Sequence, residues 1–325
     1  MTSADSTATP VLSVILPAPE RLGLLERVVT ALGGQSLASR MEIVIVVEHP
    51  DEPLPAWLTS AVGWVQVVPR RSWTTMTAAR AAGVLHARAP LVVFCEDHCY
   101  PADGWAEALV AAHQAPWAAV GPAILNANPI TRVSWANLSV EYGPWLHPVS
   151  PGACAHVPGH NSCYKRSVLL EYGERLPEMM EAESVMHWDL QQRGLAVAMA
   201  PAARTRHENF SRVGPSVLLR FSGGRLFAAS RARGWPLWRR AMYAVGSAVL
   251  PCLRTWRALR DLRRVDDGRP RRGLALVIFL LLTVDAIGEA VGYAVGAGDQ
   301  SRRLSAIEHD RGRFMSARDR VPVRG

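Results

Sequence analysis

The sequence places three side chains able to bind a metal ion next to one another, in FCEDHCYPADGW. They are Glu96, Asp97 and His98, and they directly follow a short apolar run typical of a buried strand. Carboxylate oxygens are preferred ligands of Mg²⁺ and Mn²⁺, and Mn²⁺ also accepts imidazole nitrogen. An extended backbone would point Glu96 and His98 to the same side of the chain. Such a cluster is costly to bury without a counter-cation, so the triplet predicts a divalent-cation site.

Two other interpretations of this stretch stay open. A solvated acidic loop would need no ion. Alternatively, Cys95, His98 and Cys99 would supply three ligands of a zinc site, which would still need a fourth.

Two later stretches carry residues that fit binding or proton transfer. In GHNSCYKR, a glycine turn followed by amides and small side chains can approach a sugar or a diphosphate closely. The candidates there are Gly159, His160 and Asn161. In MMEAESVMHW, the carboxylates of Glu181 and Glu183 are of a type that can accept a proton during catalysis.

Strand-like and helix-like patterns alternate through the first third of the chain and must position these residues. The apolar runs lie at 11–16, 41–47, 64–68, 91–95 and 118–122, and the helical patterns lie at 22–32, 74–87 and 103–113. Continuous apolar strands separated by helices predict a buried parallel sheet with right-handed crossovers. Ligands of such sheets bind at the carboxyl ends of the strands, so the residues after 16, 47 and 94 are the first candidates.

Residues 123–210 are less regular. We expect a helix from 179 to 193 and a short strand at 195–201, and His207 follows that strand. This part reads as the second half of the same domain.

The order of these motifs resembles glycosyltransferase family 2 over roughly residues 11–210. The family's P-T-Y-N-R after the first strand is P-A-P-E-R here, from Pro17 to Arg21. The family's DxD motif corresponds to Glu96-Asp97-His98, and its Asp after the second strand corresponds to Glu48. Two further family positions are alanine in this chain, Ala81 after Arg80 and Ala182 before Glu183.

The resemblance implies a GT-A fold, which is Rossmann-like α/β with a mostly parallel sheet, and it assigns a role to each candidate. Glu96 and His98 would face the metal ion, with His207 as a further ligand. The donor-binding residues would be Pro17, Glu20, Glu48, Arg80 and Asp97. The sugar or acceptor would contact Gly159, His160 and Asn161, and Glu183 would be the base, with Glu181 in reserve.

The expected function is an inverting glycosyltransferase that uses Mn²⁺ or Mg²⁺ and a nucleotide-sugar donor. The expected acceptor is a hydroxyl group of a lipid-linked or cell-envelope glycan. The alanines and the altered DxD motif leave one alternative, a catalytically degenerate GT-A domain that acts as a binding or scaffold protein. A nicotinamide-dependent dehydrogenase is disfavoured because no GxGxxG follows the first strand.

Length and cysteine usage limit the remaining classes. A chain of 325 residues allows one or two domains. Its five cysteines are odd in number and form no CxxC pair, which favours a reduced, cytosolic setting over a disulfide framework. The polar start MTSADSTATP lacks the features of a signal peptide, and we expect residues 1–10 to be a loose tail.

Positive charge is concentrated towards the C-terminus. Of the net charge of +8, residues 204–272 contribute 17 Arg against 4 acidic residues. This excess predicts an anionic partner, and the absence of any helix-turn-helix, zinc-finger or RRM pattern disfavours nucleic acid. We therefore expect a negatively charged membrane surface and a cytoplasmic location at the inner face of the cell membrane.

Two apolar segments, 241–253 and 273–298, flank the Arg-dense stretch. They would form a hairpin that dips into the cytoplasmic leaflet, or a soluble helical subdomain packed on the core. A simple membrane span is disfavoured because Asp285 and Glu289 interrupt the second segment. The domain prediction is a tail at 1–10, a GT-A catalytic domain at 11–212, and an Arg-rich helical region at 213–325.

Overall fold

The structure is a computed structural model. It describes residues 9–18, 22–48, 53–70, 75–265, 272–309, 311 and 315–317. Glu20, residues 1–8 of the predicted tail and residues 266–271 of the Arg-dense stretch lie outside the described residues.

The described residues form two compact units. The first unit comprises the described residues within 1–122, 151–177 and 190–205. The second unit comprises those within 123–150, 178–189 and 206–325. The assignment of 11–212 to one catalytic domain stays a prediction.

The described part of the chain contains nine strands that join one sheet. They are β1 (Leu12–Ala18), β2 (Met41–Val47), β3 (Trp64–Pro69), β4 (Leu91–Phe94), β5 (Cys99–Pro101), β6 (Ala119–Asn126), β7 (Gly152–Cys154), β8 (Cys163–Lys165) and β9 (Val197–His207). Their order is β3-β2-β1-β4-β8-β6-β9-β5, and β7 pairs with β9. Every residue of β1 and β2 is buried, which explains why these strands read as continuous apolar runs.

The first four strands of this order run parallel. Leu12 of β1 is opposite Met41 of β2 and Leu91 of β4, so the three strands begin level with one another. Their carboxyl ends therefore share one edge of the sheet. Glu48 follows β2, and Glu96 lies two residues after β4, as the sequence predicted.

Strand β8 departs from the expected parallel arrangement. It runs antiparallel between β4 and β6, and Cys163 is opposite both Val93 and Val120. The sequence predicts a glycine turn in this stretch; in the structure a strand follows that turn, and a helix begins only at Arg166. A strand of three residues is too short to show a period in the sequence, and its position depends on its two long-range partners.

Thirteen α-helices accompany the sheet in the described residues. They are α1 (Glu26–Gly33), α2 (Ala56–Thr59), α3 (Met76–His86), α4 (Trp105–Ala112), α5 (Arg132–Tyr142), α6 (Arg166–Leu170), α7 (Leu176–Met180), α8 (Glu183–Gln192), α9 (Val213–Arg231), α10 (Leu237–Gly246), α11 (Leu250–Leu262), α12 (Leu274–Val295) and α13 (Gln300–His309). Helix α3 begins at a threonine cap, because the Thr75 hydroxyl accepts a hydrogen bond from the Ala78 amide. The single helix predicted at 179–193 is instead two helices, α7 and α8.

In the second unit, α9 and α12 approach so closely that only glycine fits at the contact. A Cβ atom on Gly288 would lie 2.3 Å from the carbonyl oxygen of Phe221, and one on Gly224 would lie 2.2 Å from that of Asp285. Gly288 and Gly292 of α12, spaced four residues apart, therefore serve helix packing within the protein.

The two acids of α12 are paired within the same unit. Arg254 Nη1 lies 2.7 Å from Asp285 Oδ2 and also contacts Glu289. Among the described helices, α12 alone is long and apolar enough to cross a membrane, and 39% of its most apolar window is buried. The predicted combination of an α/β sheet with C-terminal helices is confirmed.

Candidate active site

The triplet Glu96-Asp97-His98 lies in a tight turn between β4 and β5 in the first unit. The Cys95 amide still donates to Ile15 of β1, and the Cys99 amide closes the turn by donating to the Glu96 carbonyl, at 3.1 Å. Glu96 and His98 are 9% and 8% exposed. The backbone is thus not extended here, and the turn itself brings the two side chains together.

His98 is bound at both ring nitrogens by carboxylates. Its Nδ1 lies 2.7 Å from Asp97 Oδ1, and its Nε2 lies 3.3 Å from Glu96 Oε2. A neutral imidazole that donates from Nδ1 to Asp97 carries its lone pair on Nε2, facing the carboxylate. Such an arrangement needs a proton or a cation between Nε2 and Oε2. Asp97 therefore orients His98, which is the role of carboxylates behind metal-bound histidines.

Arg80 of α3 reaches the same carboxylate from its other side. The Arg80 side chain is buried, its Nη2 lies 2.8 Å from Glu96 Oε1, and its Nη1 lies 2.7 Å from His160 Nδ1. Because guanidinium only donates, His160 Nδ1 accepts and its ring proton is on Nε2. Arg80 Nε is buried and has no hydrogen-bond partner among the described residues.

The electrostatics of Glu96 follow from these neighbours. Burial alone would raise the pKa of its carboxyl, but His98, with the proton on its Nε2, and the Arg80 guanidinium outweigh burial and hold the pKa well below its usual range. Glu96 is therefore a carboxylate that can serve as a metal ligand.

Cys99 is a further member of this cluster that the divalent-cation prediction did not include. Its Sγ lies 3.3 Å from Glu96 Oε2. One ligand atom from each of Glu96, His98 and Cys99 lies within 4.8 Å of the others. The zinc interpretation also needed Cys95, but burial raises the pKa of the Cys95 thiol to about 12, and its Sγ points to backbone carbonyls.

The predicted sugar-binding residues form a short 3-10 helix, Gly159–Asn161, just before β8. Gly159 and Asn161 are buried, and His160 is half-buried at Arg80. Two predicted donor residues lie at strand ends. Pro17 is buried within β1, and Glu48 is half-buried after β2.

The second unit holds both candidates for the base. Glu183 is the first residue of α8 and is half-buried. Glu181 lies in the turn before α8, where its Oε2 is 3.0 Å from Arg233 Nη2. Burial raises the pKa of Glu181, while a hydrogen bond from Ser301 opposes that shift.

His207 also belongs to the second unit, and its ring is fixed by asparagines that the sequence analysis missed. His207 is 2% exposed, and its Nδ1 lies 2.8 Å from Asn209 Oδ1. Asn209 is itself held by Asn126 and Asn128, and Tyr142 packs on the ring at 4.7 Å between centroids. A ring that donates from Nδ1 has its lone pair on Nε2, the form that binds a metal.

The first-unit cluster fits a divalent cation by the chemistry of its donors. It offers an ionised carboxylate, an imidazole oriented by a second carboxylate, and a thiol, all at the carboxyl end of β4. A buried arginine beside them adds a donor suited to phosphate oxygens.

Comparison with known proteins gives a family model and solved structures of similar fold. A family model described as glycosyl transferase family 2 matches residues 13–173. No curated protein matches the chain.

Similar solved structures include the following two. One is GalNAc-T7 with UDP, GalNAc and Mn²⁺, at 18% identity and a TM-score of 0.48, covering 63% of this chain. This chain covers 44% of GalNAc-T7, which is less than half its length. The other is the mannosyltransferase PcManGT from Pyrobaculum calidifontis with GDP-Man and Mn²⁺, at 16% identity and a TM-score of 0.49, covering 94% of this chain and 88% of that one.

Proposed function

We propose that this chain catalyses an inverting transfer of a sugar from a nucleotide-sugar to a hydroxyl group. It belongs to glycosyl transferase family 2 and is therefore a glycosyltransferase. The observation that carries the proposal is the cluster at Glu96, where His98 and Arg80 meet one buried carboxylate. It combines ligands for a cation with a donor for phosphate at the edge of the sheet where α/β proteins bind ligands.

The metal ion would be held by Glu96 and His98, with His207 as the third predicted ligand. A bound Mn²⁺ or Mg²⁺ would neutralise the charge that develops on the diphosphate leaving group. Asp97 would act through His98, since it fixes the ring orientation by the 2.7 Å contact at Nδ1. The pairing of imidazole with carboxylate favours Mn²⁺ over Mg²⁺.

Arg80 would contact the donor diphosphate. It is buried at 3% exposure, which fixes its position, and its Nε lacks a partner among the described residues. Pro17, Glu20 and Glu48 would complete the nucleotide site. Because Pro17 lies at the end of β1 and Glu48 directly follows β2, the sheet would hold these two residues in place.

The sugar and the acceptor would contact Gly159, His160 and Asn161. Glu183 would accept the proton of the attacking hydroxyl while the bond from the anomeric carbon to the diphosphate oxygen breaks. The nucleoside diphosphate leaves with the electron pair of that bond, so no covalent enzyme intermediate forms. Glu181 is second choice, because Arg233 holds its carboxylate in an ion pair.

The acceptor would be a lipid-linked or cell-envelope glycan, and the protein would work at the cytoplasmic face of the membrane. The support is the excess of arginine at 204–272, which is the sign of charge that an anionic leaflet attracts.

A panel of donors tests this function. UDP-, GDP-, dTDP- and CMP-sugars are compared by thermal shift with Mn²⁺ and with EDTA, and the donor that stabilises the chain is then assayed for hydrolysis and transfer. His98→Ala should remove the effect of the metal, whereas His86→Ala, at an exposed histidine of α3, should not. Equal shifts in Mn²⁺ and EDTA would contradict the metal role.

The base is tested with the same donor. Glu183→Gln should lower kcat by about 10²-fold or more with KM little changed, and Glu181→Gln should not. The reverse result would move the role to Glu181. Donor binding without any turnover would instead indicate the degenerate, scaffold-type domain.

A further inference from the structure

Helices α10 and α11, with the 3-10 turn Ser247–Val249 between them, expose large apolar side chains at intervals of three or four residues. None of the residues of α10 is buried. The exposed fractions are 68% for Trp238, 78% for Val245 and 67% for Val249. With two more exposed members they form what we call the apolar stripe, which consists of Trp238, Met242, Val245, Val249 and Trp256.

The same segment is strongly basic. Between 237 and 265 the sequence has seven arginines and one acidic residue, Asp261. That acid is buried and paired with Arg260 and Arg264. Arg257 and Arg263 are exposed on α11 and just after it. The surface around the apolar stripe thus presents positive charge and no exposed carboxylate within 237–265.

We propose that the apolar stripe lies in the headgroup region of an anionic lipid bilayer, with α10 and α11 parallel to the membrane plane. At a rise of 1.5 Å per residue, the stripe from Trp238 to Trp256 is about 27 Å long. Tryptophans at both of its ends suit the membrane–water interface, and the arginines beside it contact lipid phosphates.

By composition alone, α12 is the best candidate for membrane contact, but the charge distribution favours the apolar stripe instead. Helix α12 exposes Leu276, Leu280 and Ile287, but no arginine or lysine lies within it. Its acids are held by Arg254 inside the unit, and its glycines pack on α9. In this proposal one interfacial segment takes the place of the predicted hairpin of two membrane segments, and α12 is packed on α9.

The apolar stripe could alternatively be an interface with a second copy of the chain. Two stripes face to face would bring the arginines of α10 and α11 in one copy close to the arginines of these helices in the other. Like charges at that distance oppose association, whereas lipid phosphates neutralise them. This inference rests on the proposed membrane location and is independent of the catalytic assignments.

Cys252 offers a direct probe, because it is exposed and lies between Val249 and Trp256. Of the five cysteines, all in described residues, three are buried and Cys154 is half-buried. Burial also raises the pKa of the Cys154 thiol to about 11, so Cys252 reacts first with a thiol-directed fluorophore. On adding vesicles of phosphatidylglycerol and phosphatidylcholine in equal parts, the emission should shift to the blue. Spin labels placed near the lipid headgroups should quench it.

Substitutions test which residues make the contact. Trp238→Ser combined with Val245→Ser and Val249→Ser should weaken co-sedimentation with these vesicles by about tenfold or more. Leu85→Ser is the matched control, because Leu85 is 63% exposed on α3 of the first unit, and it should bind as the parent does. Donor hydrolysis in solution should be the same in all three proteins. Vesicles of phosphatidylcholine alone should bind the parent weakly.

Three results would overturn the inference. Co-sedimentation without a change at Cys252 would place the membrane contact elsewhere and leave the membrane location standing. A lack of vesicle binding would remove both. A dimer in sedimentation equilibrium that dissociates in the triple variant would assign the stripe to a second copy.

Discussion

Helix α12 and the α10–α11 segment are both apolar and both expose apolar side chains, but they differ in how much of each is packed inside the second unit. Helix α12 turns Ile278, Leu281 and its glycines into the second unit. Helix α10 buries no residue, and α11 exposes Trp256. The comparison shows that apolar composition alone does not identify the surface that meets a partner. Whether the charged residues of a helix are paired inside the protein or exposed beside the apolar residues is a better guide to that surface.

The largest effect should come from the charge cluster that anchors α12. Arg254→Met would leave the carboxylates of Asp285 and Glu289 without their cation. Removing one partner of a buried ion pair costs about 3–5 kcal/mol, and we expect a loss of that size in the free energy of unfolding. Urea denaturation measures it. Arg257→Met changes an exposed residue of α11, the helix that also carries Arg254, and should change the free energy of unfolding by no more than about 0.5 kcal/mol.

The glycine contact between α9 and α12 should come next. Gly224→Ala would place a Cβ atom 2.2 Å from the Asp285 carbonyl oxygen, and the helices would have to separate. We expect a loss of about 2–3 kcal/mol. Gly223→Ala, one residue earlier, meets nothing within 4 Å and should stabilise α9 by up to about 1 kcal/mol. Equal effects of the two changes would contradict the packing described for α12.

The pH dependence of stability should show that the acids of α12 are buried. Burial raises the pKa of Glu289, Arg254 opposes this, and repulsion from Asp285 adds to the rise. A carboxyl whose folded pKa is raised stabilises the protein below its unfolded pKa, and this stability is lost as pH rises through the folded pKa. Glu289→Gln should therefore flatten the decline of the unfolding free energy above the ordinary carboxyl range. Urea titrations at several pH values would detect it, and an unchanged slope would contradict the burial of this acid.

The smallest effect should come from the apolar stripe in the absence of lipid. Val249→Ser removes an apolar side chain that is already 67% exposed, so the unfolding free energy should change by no more than about 0.5 kcal/mol. Ile278→Val on α12 removes a single methylene group from a fully buried side chain and should cost about 1 kcal/mol. A stripe substitution that destabilises as much as the core one would mean that the stripe packs on protein.

The strands of the first unit were predictable because their signal is local. Both faces of β1, β2 and β4 are buried, and such strands must be apolar along their whole length. Strand β8 was missed because three residues carry no period, and its place between β4 and β6 is set by partners at least 40 positions away.

The candidate site divides in the same way. Glu96 and His98 were predictable because they stand two residues apart shortly after a strand. The ion pair from Arg80 to Glu96 and the contact of Arg80 with His160 join residues that only folding brings together. The asparagines around His207 were missed as well. The spacing of His207 and Asn209 offered a signal, but Asn126 and Asn128, which hold Asn209, are distant in the sequence.

The sequence by itself determined which side chains were available and where strands end. Both are local properties, because each residue has its own chemical type and a buried strand is apolar along its own length. The sequence thereby specified the α/β class, the acidic triplet at 96–98 and the basic C-terminal third. The tertiary structure decided which of these groups neutralise one another. Arg80 meets Glu96, and Arg254 meets the acids of α12, because a buried charge is stable only beside a counter-charge, and that neighbour can come from anywhere in the chain.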